Sequence, residues 1–369
     1  MRLERVLTPR LRLAMFSYRL PTEGQKRGGI ERSAHTLANG LACRGHEVVV
    51  FTHDARPPGA VYDVRPLPWK DFVNTWLGRR VTMGYLGNLL ALLPDYGSFD
   101  AIVAHGDSLF LPLTGKPVVR VLHGSAIGEA QSARTLGRIV LQGGVYVQEI
   151  LTALLQNGVV AVSESTRRHN PFVRHVIPHG VDEHLFRPSP SARTEQPSIV
   201  FVGTLKGRKR GQFLLDIFRH TVQRAHPTAL LTIVGDQGPP WYGVEYRLGV
   251  SDAELASLYR RAWVYASPST YEGFGLPYLE AMACGTPVVA TPNSGSNEVL
   301  GGGAYGALAL DTDFGRTLSS LLADAQARAA LAARGLDRAR EYSLTAMLTR
   351  YEELLFALAA PDAKPVASA

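Results

Sequence analysis

SPSTYEGFGLPYLEAMACGTPVVAT, which spans Ser267–Thr291, has the pattern of a complete connection between two strands of a parallel sheet. An apolar run that ends at Ala266 predicts the first strand, and a turn-rich loop follows it. Pro277 occupies a favoured first position of a helix, Gly285 ends that helix, and the second strand begins at Pro287. A strand, a helix and another strand in this order are typical of an α/β protein with a parallel sheet.

The same alternation of short apolar runs and helical patterns fills both halves of the chain. Strands are predicted in the first half at Leu13–Phe16, Glu47–Thr52, Ala101–Ala104, Val118–Leu122, Val159–Ser163 and His175–Pro178. They are predicted in the second half at Ser198–Val202, Leu230–Val234, Trp263–Ala266 and Pro287–Thr291. A polar, turn-rich stretch at Arg187–Ser191 separates the two sets. The sequence therefore predicts two doubly wound α/β domains, residues 1–188 and 189–360, with a last helix at Leu344–Leu358 that packs back on the first domain and a disordered tail at 361–369.

Composition narrows the class of protein. With 369 residues, the chain is long enough for two domains with ordinary apolar cores. It carries 39 Lys and Arg against 32 Asp and Glu, and the net charge of +7 points to phosphate-bearing or other acidic partners. Two cysteines, Cys43 and Cys284, exclude a disulfide scaffold and favour a reducing, cytoplasmic location. The N-terminus is too charged for a signal peptide, and no apolar run reaches the roughly 18 residues of a membrane span.

The strongest candidates for chemistry lie in the quoted stretch. Open α/β sheets bind ligands at the carboxyl ends of their strands, and the loop after Ala266 is such an end. The glycines of Gly273-Phe274-Gly275 let a ligand approach the backbone, and the following helix offers free N–H groups. Glu272 precedes them, and Glu280 lies eight residues on in an apolar helix, where a carboxylate needs a partner such as a ribose hydroxyl. Taken alone, the spacing does not decide between a functional pair and the alternative in which Glu272 is an ordinary loop carboxylate and Glu280 a solvated helix residue.

The glutamate pair resembles the E-x7-E signature of retaining glycosyltransferases of family 4, which have the GT-B fold. Further segments resemble that family in its own order: Gly28–Glu31, Arg44–Val48, His123-Gly124, Ala161–Ser165, Ile177–Asp182, Phe201–Leu205 and Glu298-Val299. The resemblance implies that Glu272 contacts the transferred sugar and that Glu280 holds the ribose of the nucleotide. It also implies that backbone amides bind sugar hydroxyls and the distal phosphate, namely those of Gly273, Phe274, Gly275 and Leu276.

A basic run directly follows a predicted strand: Gly203-Thr204-Leu205-Lys206-Gly207-Arg208-Lys209-Arg210. Cations at this place would stabilise the negative charge that a diphosphate leaving group develops, although a solvated basic loop is the common alternative. The resemblance assigns Lys209 to this role and places Gly203 and Thr204 at the donor. Because Thr204 stands where the family often has Arg, Arg208 is expected to supply the second cation, with Lys206 as the alternative.

Four places in the first domain are further candidates. The resemblance implies that Gly28 and Gly29 direct amides toward phosphate, although the residues alone favour a plain helix-starting turn. It implies that His123 orients the donor sugar or stabilises the transition state, and Asp107, at another strand end, is the candidate acceptor contact. Residues 64–95 fit either a basic amphipathic surface for an anionic membrane or, as we favour, a pair of packing helices.

The sequence thus predicts a metal-independent retaining hexosyltransferase. It would move a hexose from a UDP- or GDP-sugar to a lipid-linked or saccharide acceptor, in the synthesis of a cell-surface polysaccharide or glycolipid, across a cleft that closes on the donor. No cofactor or metal is expected, because Lys209, Arg208 and helix N-termini would meet the charge of the leaving group and no His/Cys cluster has zinc spacing. No nucleic acid is expected because no recognisable module is present. Two alternatives remain, a GT-B nucleotide-sugar 2-epimerase and a non-catalytic nucleotide-sugar-binding partner subunit.

Overall fold

The computed structural model describes residues 10–21, 29–68, 87–106, 108–131, 136–156, 158–189 and 193–359. Within these residues, thirteen strands form two sheets in which every strand pairing is parallel. Parallel strands need crossover connections, and helices supply most of them here.

The first sheet has seven strands in the order β3-β2-β1-β4-β5-β6-β7. These strands are β1 Arg12–Phe16, β2 Glu47–Thr52, β3 Asp63–Pro66, β4 Ala101–Ala104, β5 Val118–Leu122, β6 Gly158–Ala161 and β7 His175–Val176. The helices of this domain are α1 Gly29–Cys43, α2 Gly87–Leu90, α3 Ala126–Gln131, α4 Leu136–Leu155 and α5 Glu164–His169, with a 3-10 turn at Leu111–Thr114. All residues of β4 and β5 are buried, as expected for apolar runs covered on both faces of a parallel sheet.

The second sheet has six strands in the order β10-β9-β8-β11-β12-β13. These strands are β8 Ser198–Val202, β9 Leu230–Val234, β10 Val244–Arg247, β11 Val264–Ser267, β12 Val288–Ala290 and β13 Ala307–Leu308. The helices are α6 Gly211–Ile217, extended by Phe218–Val222 and Gln223–Ala225, then α7 Asp252–Arg261, α8 Leu276–Ala283, α9 Ser294–Val299, α10 Asp311–Ala323, α11 Ala325–Glu341 and α12 Leu344–Ala359. Short 3-10 turns occur at Gly207–Lys209 and Gly301–Gly303.

The start of α8 depends on a glycine. Gly275 has a φ of 106°, in the region that side chains disfavour, and it precedes the first residue of the helix. A Cβ at this position would also lie 2.4 Å from the ring of Tyr278. Glycine therefore allows the sharp turn that leads from the loop into α8.

The last helix, α12, crosses to the first domain and packs against α1. Leu348 contacts Gly40, where an added Cβ would lie 2.5 Å from the leucine side chain. Glu352 forms an ion pair with Arg44 and a hydrogen bond of 3.1 Å with Nε2 of His46. Both apolar packing and charge thus join the end of the described chain to the first domain.

The predicted fold class, two α/β domains with parallel sheets, is confirmed. Three short strands, β3, β10 and β13, were not expected from the sequence, and β6 and β7 end earlier than the apolar runs suggested. The predicted tail at 361–369 and residues 69–86 of the candidate amphipathic segment lie outside the described residues. Among the helices of the described ranges, none combines the length and the apolar content needed to cross a membrane.

Candidate active site

The carboxyl ends of the two sheets meet, and the loops that follow the strands contact each other there. His123 follows β5, and Gly273 lies in the loop after β11. A Cβ on Gly273 would lie 2.6 Å from the carbonyl oxygen of His123, so only glycine allows this approach. Ser163, at the end of β6, donates a hydrogen bond of 3.0 Å to the Gly273 carbonyl. The loop that carries the predicted catalytic glutamate is therefore held against the first domain.

Glu272 is buried between two cations of its own domain. Its exposed fraction is 5%, and its carboxylate lies 2.6 Å from Nζ of Lys209 and 2.9 Å from Nη1 of Arg208. Burial alone would raise the pKa of Glu272, but the charges of Lys209 and Arg208 outweigh burial and lower it below its ordinary value. Glu272 is therefore an ionised carboxylate at neutral pH.

The basic run reaches Glu272 because its loop is tightly folded. The hydroxyl of Thr204 donates to the carbonyl of Lys206, and the carbonyl of Arg208 accepts from the amide of Thr270, at 2.8 and 2.9 Å. Lys209 packs on Gly203, where a Cβ would lie 3.0 Å from the lysine side chain. Small size at Gly203, rather than charge, thus permits the lysine to approach the carboxylate.

Glu280 lies on α8 and has partners from both domains. Its side chain is 1% exposed, and Oε1 lies 2.6 Å from Nη1 of Arg32, which belongs to α1 of the first domain. Oε2 accepts a hydrogen bond of 3.1 Å from the hydroxyl of Tyr259. Burial outweighs the charge of Arg32 and raises the pKa of Glu280 above its ordinary value.

His123 stands between two histidines that the sequence reasoning did not identify. Nε2 of His123 lies 2.9 Å from Nδ1 of His105, which follows β4. The ring of His123 also stacks on that of His179 at 5.4 Å between centroids. His179 in turn contacts the ring of Phe274 edge to face and lies 3.2 Å from the hydroxyl of Ser33.

The structure brings together most of the residues that the sequence predicted for the site. Glu272, Lys209 and Arg208 are in direct contact, and His123 lies against Gly273. Lys206, the alternative second cation, is exposed. Thr204 folds the basic loop, Gly29 is the first residue of α1, and Gly28 and Asp107 lie outside the described residues.

Contacts between the domains are what the sequence reasoning missed. Arg32 follows the glycine-rich segment by three positions, but an arginine in the first turn of a helix is not by itself a signal. Glu298, quoted above only as part of a family motif, accepts from the amides of Glu164 and Ser165 at 2.8 and 3.0 Å. It thereby caps α5 of the opposite domain. A cap on a helix that is 134 residues distant cannot be found from local spacing.

Comparison with known proteins places this geometry in a family. The family model described as Glycosyltransferase Family 4 matches residues 27–185, and the model described as Glycosyl transferases group 1 matches residues 196–324. A D-inositol 3-phosphate glycosyltransferase of Corynebacterium jeikeium is 28% identical in an alignment 388 positions long, which covers 89% of this chain and 92% of the relative.

Solved structures share the fold at lower identity. A sucrose-phosphate synthase from Thermosynechococcus elongatus superposes with a TM-score of 0.75 at 21% identity, covering 96% of this chain and all of that one. HepE from Anabaena, in its complex with UDP-glucose, superposes with a TM-score of 0.71 at 18% identity, covering 94% of this chain and all of that one.

Two parallel-sheet domains that meet at the carboxyl ends of their strands form the GT-B fold, the architecture of a large class of glycosyltransferases. Within that class, this chain belongs to the family 4 glycosyltransferases, because the two matching models cover both of its domains. The resemblance stated from the sequence is thereby confirmed.

Proposed function

We propose that this glycosyltransferase moves a hexose from a nucleoside diphosphate sugar to a hydroxyl group, with retention of the anomeric configuration. The observation that carries the proposal is the buried Glu272 carboxylate, held by Lys209 and Arg208 beside the start of α8. A sugar diphosphate requires acceptors for hydroxyl groups and cations for phosphate, and this site offers both. The complex of HepE with UDP-glucose supports a nucleotide-sugar donor, and we propose a UDP- or GDP-sugar.

Lys209 and Arg208 bind the diphosphate. As the glycosidic bond breaks, negative charge grows on the phosphate, and fixed cations then stabilise the transition state more than the bound donor. Glu272 keeps the ammonium and guanidinium groups together before the donor arrives, because its carboxylate pairs with both. Lys209, Arg208 and the ionised Glu272 together carry a net charge of +1, and the amides at the start of α8 add positive potential. In this scheme no divalent metal is needed, so turnover is expected to survive EDTA.

The other groups fix the orientation of the donor. The amides of Gly273, Phe274, Gly275 and Leu276 bind sugar hydroxyls and the distal phosphate at the start of α8. Glu280 accepts from the ribose hydroxyls, and His123 contacts the sugar or its phosphate. Gly203 and Thr204 shape the loop that carries the cations, and Gly29 directs the start of α1 toward the phosphate. The acceptor binds the first domain.

The decisive experiment is a transfer assay with UDP-glucose and GDP-mannose, each offered with D-inositol 3-phosphate as a first acceptor, since named relatives act on that substrate. Proton NMR of the product gives the anomeric configuration, and retention is expected. Glu272→Gln, which keeps the shape of the side chain, is the matched inactive control. An epimerised donor formed without acceptor would favour the 2-epimerase, and donor binding without turnover on any acceptor would favour the non-catalytic subunit.

We also propose that the enzyme works in the cytoplasm, at an anionic membrane surface where a lipid-linked acceptor would lie. The support comes from α4, whose outer face exposes apolar side chains while Gln148, Glu149 and Thr152 are buried beneath it. The exposed residues are Leu136, Val140, Val147, Leu151, Leu154 and Leu155. An apolar face turned outward is the pattern of a helix that lies in a membrane interface.

Charge beside α4 favours an anionic bilayer over a neutral one. The segment after α5 is bonded to α4, since Tyr146 donates to the His169 carbonyl at 2.6 Å and Asn170 donates to the Glu149 carbonyl at 3.1 Å. The same segment exposes Phe172 and Arg174. Sedimentation with vesicles of phosphatidylcholine, with and without phosphatidylglycerol, tests the proposal. Leu151→Glu should abolish binding to the anionic vesicles, whereas Leu248→Glu, at an exposed leucine of the second domain, should not.

A further inference from the structure

Tyr271, which directly precedes Glu272, extends its side chain out of the second domain and packs it on the first. A Cβ on Gly124, in the loop after β5, would lie 3.2 Å from the tyrosine hydroxyl, and a Cβ on Gly128 of α3 would lie 3.2 Å from its ring. Between these glycines in the chain, the amide of Ser125 donates a hydrogen bond of 3.4 Å to the hydroxyl. Gly124, Ser125 and Gly128 thus form a notch, the Tyr271 notch, in which side chains larger than hydrogen at the two glycines would crowd the tyrosine.

The backbone of Tyr271 is bonded to the cations of the site. Nη1 of Arg208 donates a hydrogen bond of 2.6 Å to the Tyr271 carbonyl and lies 2.9 Å from Oε2 of Glu272, so one nitrogen bridges both residues. Lys209 pairs with Oε1 of the same carboxylate at 2.6 Å. Tyr271 therefore connects a side chain packed on the first domain directly to the charged groups of the second.

The neighbouring contact at Gly273 fixes the loop less firmly. Gly273 lies against the carbonyl of His123, and its own carbonyl accepts from Ser163, so both contacts involve backbone atoms of a residue that has no side chain. Glycine has the least restricted backbone of all residues. A large ring that packs in a notch of matching shape restrains the loop in more directions than such contacts do.

We propose that Tyr271 is a positioning residue that fixes the Glu272, Lys209 and Arg208 cluster against the first domain, so that the bound donor faces the acceptor. The inference rests on the function proposed above, in which the donor binds the second domain and the acceptor the first. The ion pairs of the cluster lie within the second domain and do not require the tyrosine. Loss of the notch contact should therefore spare donor binding and impair transfer.

Two substitutions at Tyr271 separate its ring from its hydroxyl. Tyr271→Ala empties the notch, whereas Tyr271→Phe fills it with a ring of nearly equal size. With UDP-glucose and D-inositol 3-phosphate, or GDP-mannose if that donor is the one used, Tyr271→Ala should lower kcat for transfer by about 10- to 100-fold, the cost of a displacement of roughly 1 Å. Tyr271→Phe should stay within about 3-fold of the wild type, because it loses one long hydrogen bond. Calorimetric affinity for UDP should be unchanged in both, and a wild-type kcat for Tyr271→Ala would overturn the proposal.

The ratio of donor hydrolysis to sugar transfer separates positioning from a loss of folded enzyme. Fewer folded molecules lower hydrolysis and transfer alike, so the ratio stays constant. A donor that is displaced from the acceptor but still bound reacts with water instead, and the ratio rises. We expect a rise in Tyr271→Ala and recovery of the wild-type ratio in Tyr271→Phe. A lowered kcat with an unchanged ratio would assign Tyr271 to stability alone.

A substitution on the opposite domain tests the same contact. Gly128→Val fills the notch and leaves the second domain intact, and Gly143→Val is the control, since a Cβ on this glycine of α4 meets nothing within 4 Å. Gly128→Val should reproduce the loss seen in Tyr271→Ala, and the double variant should be no worse than either, because both remove one shared contact. Losses that add in the double variant would show that the two residues act separately, contrary to the proposal.

Hydrogen exchange at the Ser125 amide tests the notch without turnover. The amide should exchange more slowly in the wild type than in Tyr271→Ala, because the tyrosine hydroxyl accepts its hydrogen bond. Equal exchange rates would show that Tyr271 does not occupy the notch in solution.

Failure of the proposed function would give a different result, namely a wild-type transfer rate for Glu272→Gln. If Glu272→Gln is inactive while Tyr271→Ala transfers and hydrolyses like the wild type, only the role of Tyr271 is wrong.

Discussion

Glu272 and Glu280 are both buried and lie only eight residues apart, in a loop and in the helix that follows it, but their surroundings shift their pKa values in opposite directions. Glu272 contacts two cations, Lys209 and Arg208, that belong to its own domain, and its pKa is lowered. Glu280 contacts one cation, Arg32, that belongs to the other domain, and burial raises its pKa.

The two carboxylates differ in whether their cation partners would remain in place if the domains separated. Lys209 and Arg208 stay with Glu272 in any arrangement of the domains, so this cluster is preorganised for phosphate. Glu280 would lose Arg32 if the cleft opened, and its charge and hydrogen bonding would then depend on closure. The first carboxylate should therefore govern the rate of the chemical step and the second the binding of the nucleotide.

The largest expected effect is a loss of kcat when Lys209, the more buried of the two cations at Glu272, is removed. Lys209→Met should lower kcat by about 10²- to 10³-fold, as loss of one charge-stabilising group does in other enzymes. Arg208→Met should cost less, since half of that side chain is exposed to water. Steady-state kinetics at saturating donor measure both.

Lys206→Met is the matched control for this cluster. Lys206 belongs to the same basic run but is exposed. We expect its loss to leave kcat within about 2-fold of wild type, as for most exposed charges. An effect as large as that of Lys209→Met would transfer the role of second cation from Arg208 to Lys206.

A smaller effect is expected on donor affinity at the second carboxylate. Glu280→Gln should raise the donor Kd by about 10-fold or somewhat more, because hydrogen bonds from ribose to a charged acceptor are stronger than those to an amide. Glu272→Gln should lower kcat and change the Kd much less. Calorimetric titration with UDP and with the full donor separates the two. Unchanged affinity of Glu280→Gln for UDP would show that Glu280 does not hold the ribose.

Much of the fold could be predicted because buried parallel strands have mostly apolar sequences, although β5 also contains the buried Arg120. The boundaries of β4 and β5 agree with the runs at Ala101–Ala104 and Val118–Leu122. The strands that were missed carry a different pattern. β3 has Asp63 and Arg65 at the edge of its sheet, where one side of the strand lacks a neighbouring strand, so no apolar run was required.

The site was predictable as far as strand ends within one domain determine it. Lys209 follows β8 and Glu272 follows β11, and these strands are neighbours in the sheet, so their loops must lie close together. Arg32 was not predictable in this way. Its contact with Glu280 depends on how one domain faces the other, which no local pattern of residues records.

Arg32→Met tests whether the contact between domains competes with the donor. Oε1 of Glu280 is taken by Arg32, so ribose must share or displace this pair. Because the pair is buried, Arg32→Met leaves the Glu280 carboxylate without this cation and frees Oε1 for the ribose, so donor binding should tighten by about 2- to 5-fold. Arg44→Met is the control, because it breaks an arginine–glutamate pair between α12 and the end of α1. Weaker donor binding by Arg32→Met would instead indicate that Arg32 contacts the nucleotide.

The smallest expected effect is on the pH dependence of folding stability. It compares the two carboxylates most directly, because each should contribute a slope of opposite sign. The pKa of Glu272 lies below the ordinary value of 4.5, so the stability it contributes is present above that pH and is lost as the pH falls through the folded-state pKa. The pKa of Glu280 lies above 4.5, so its contribution is present below that pH and is lost as the pH rises through the folded-state pKa. Thermal unfolding midpoints of the wild type, Glu272→Gln and Glu280→Gln from about pH 2 to 7 cover both windows, that of Glu272 below pH 4.5 and that of Glu280 above it. With rising pH, the wild type should gain stability relative to Glu272→Gln and lose it relative to Glu280→Gln. If both stability differences changed with pH in the same direction, the two carboxylates would not differ as their surroundings indicate.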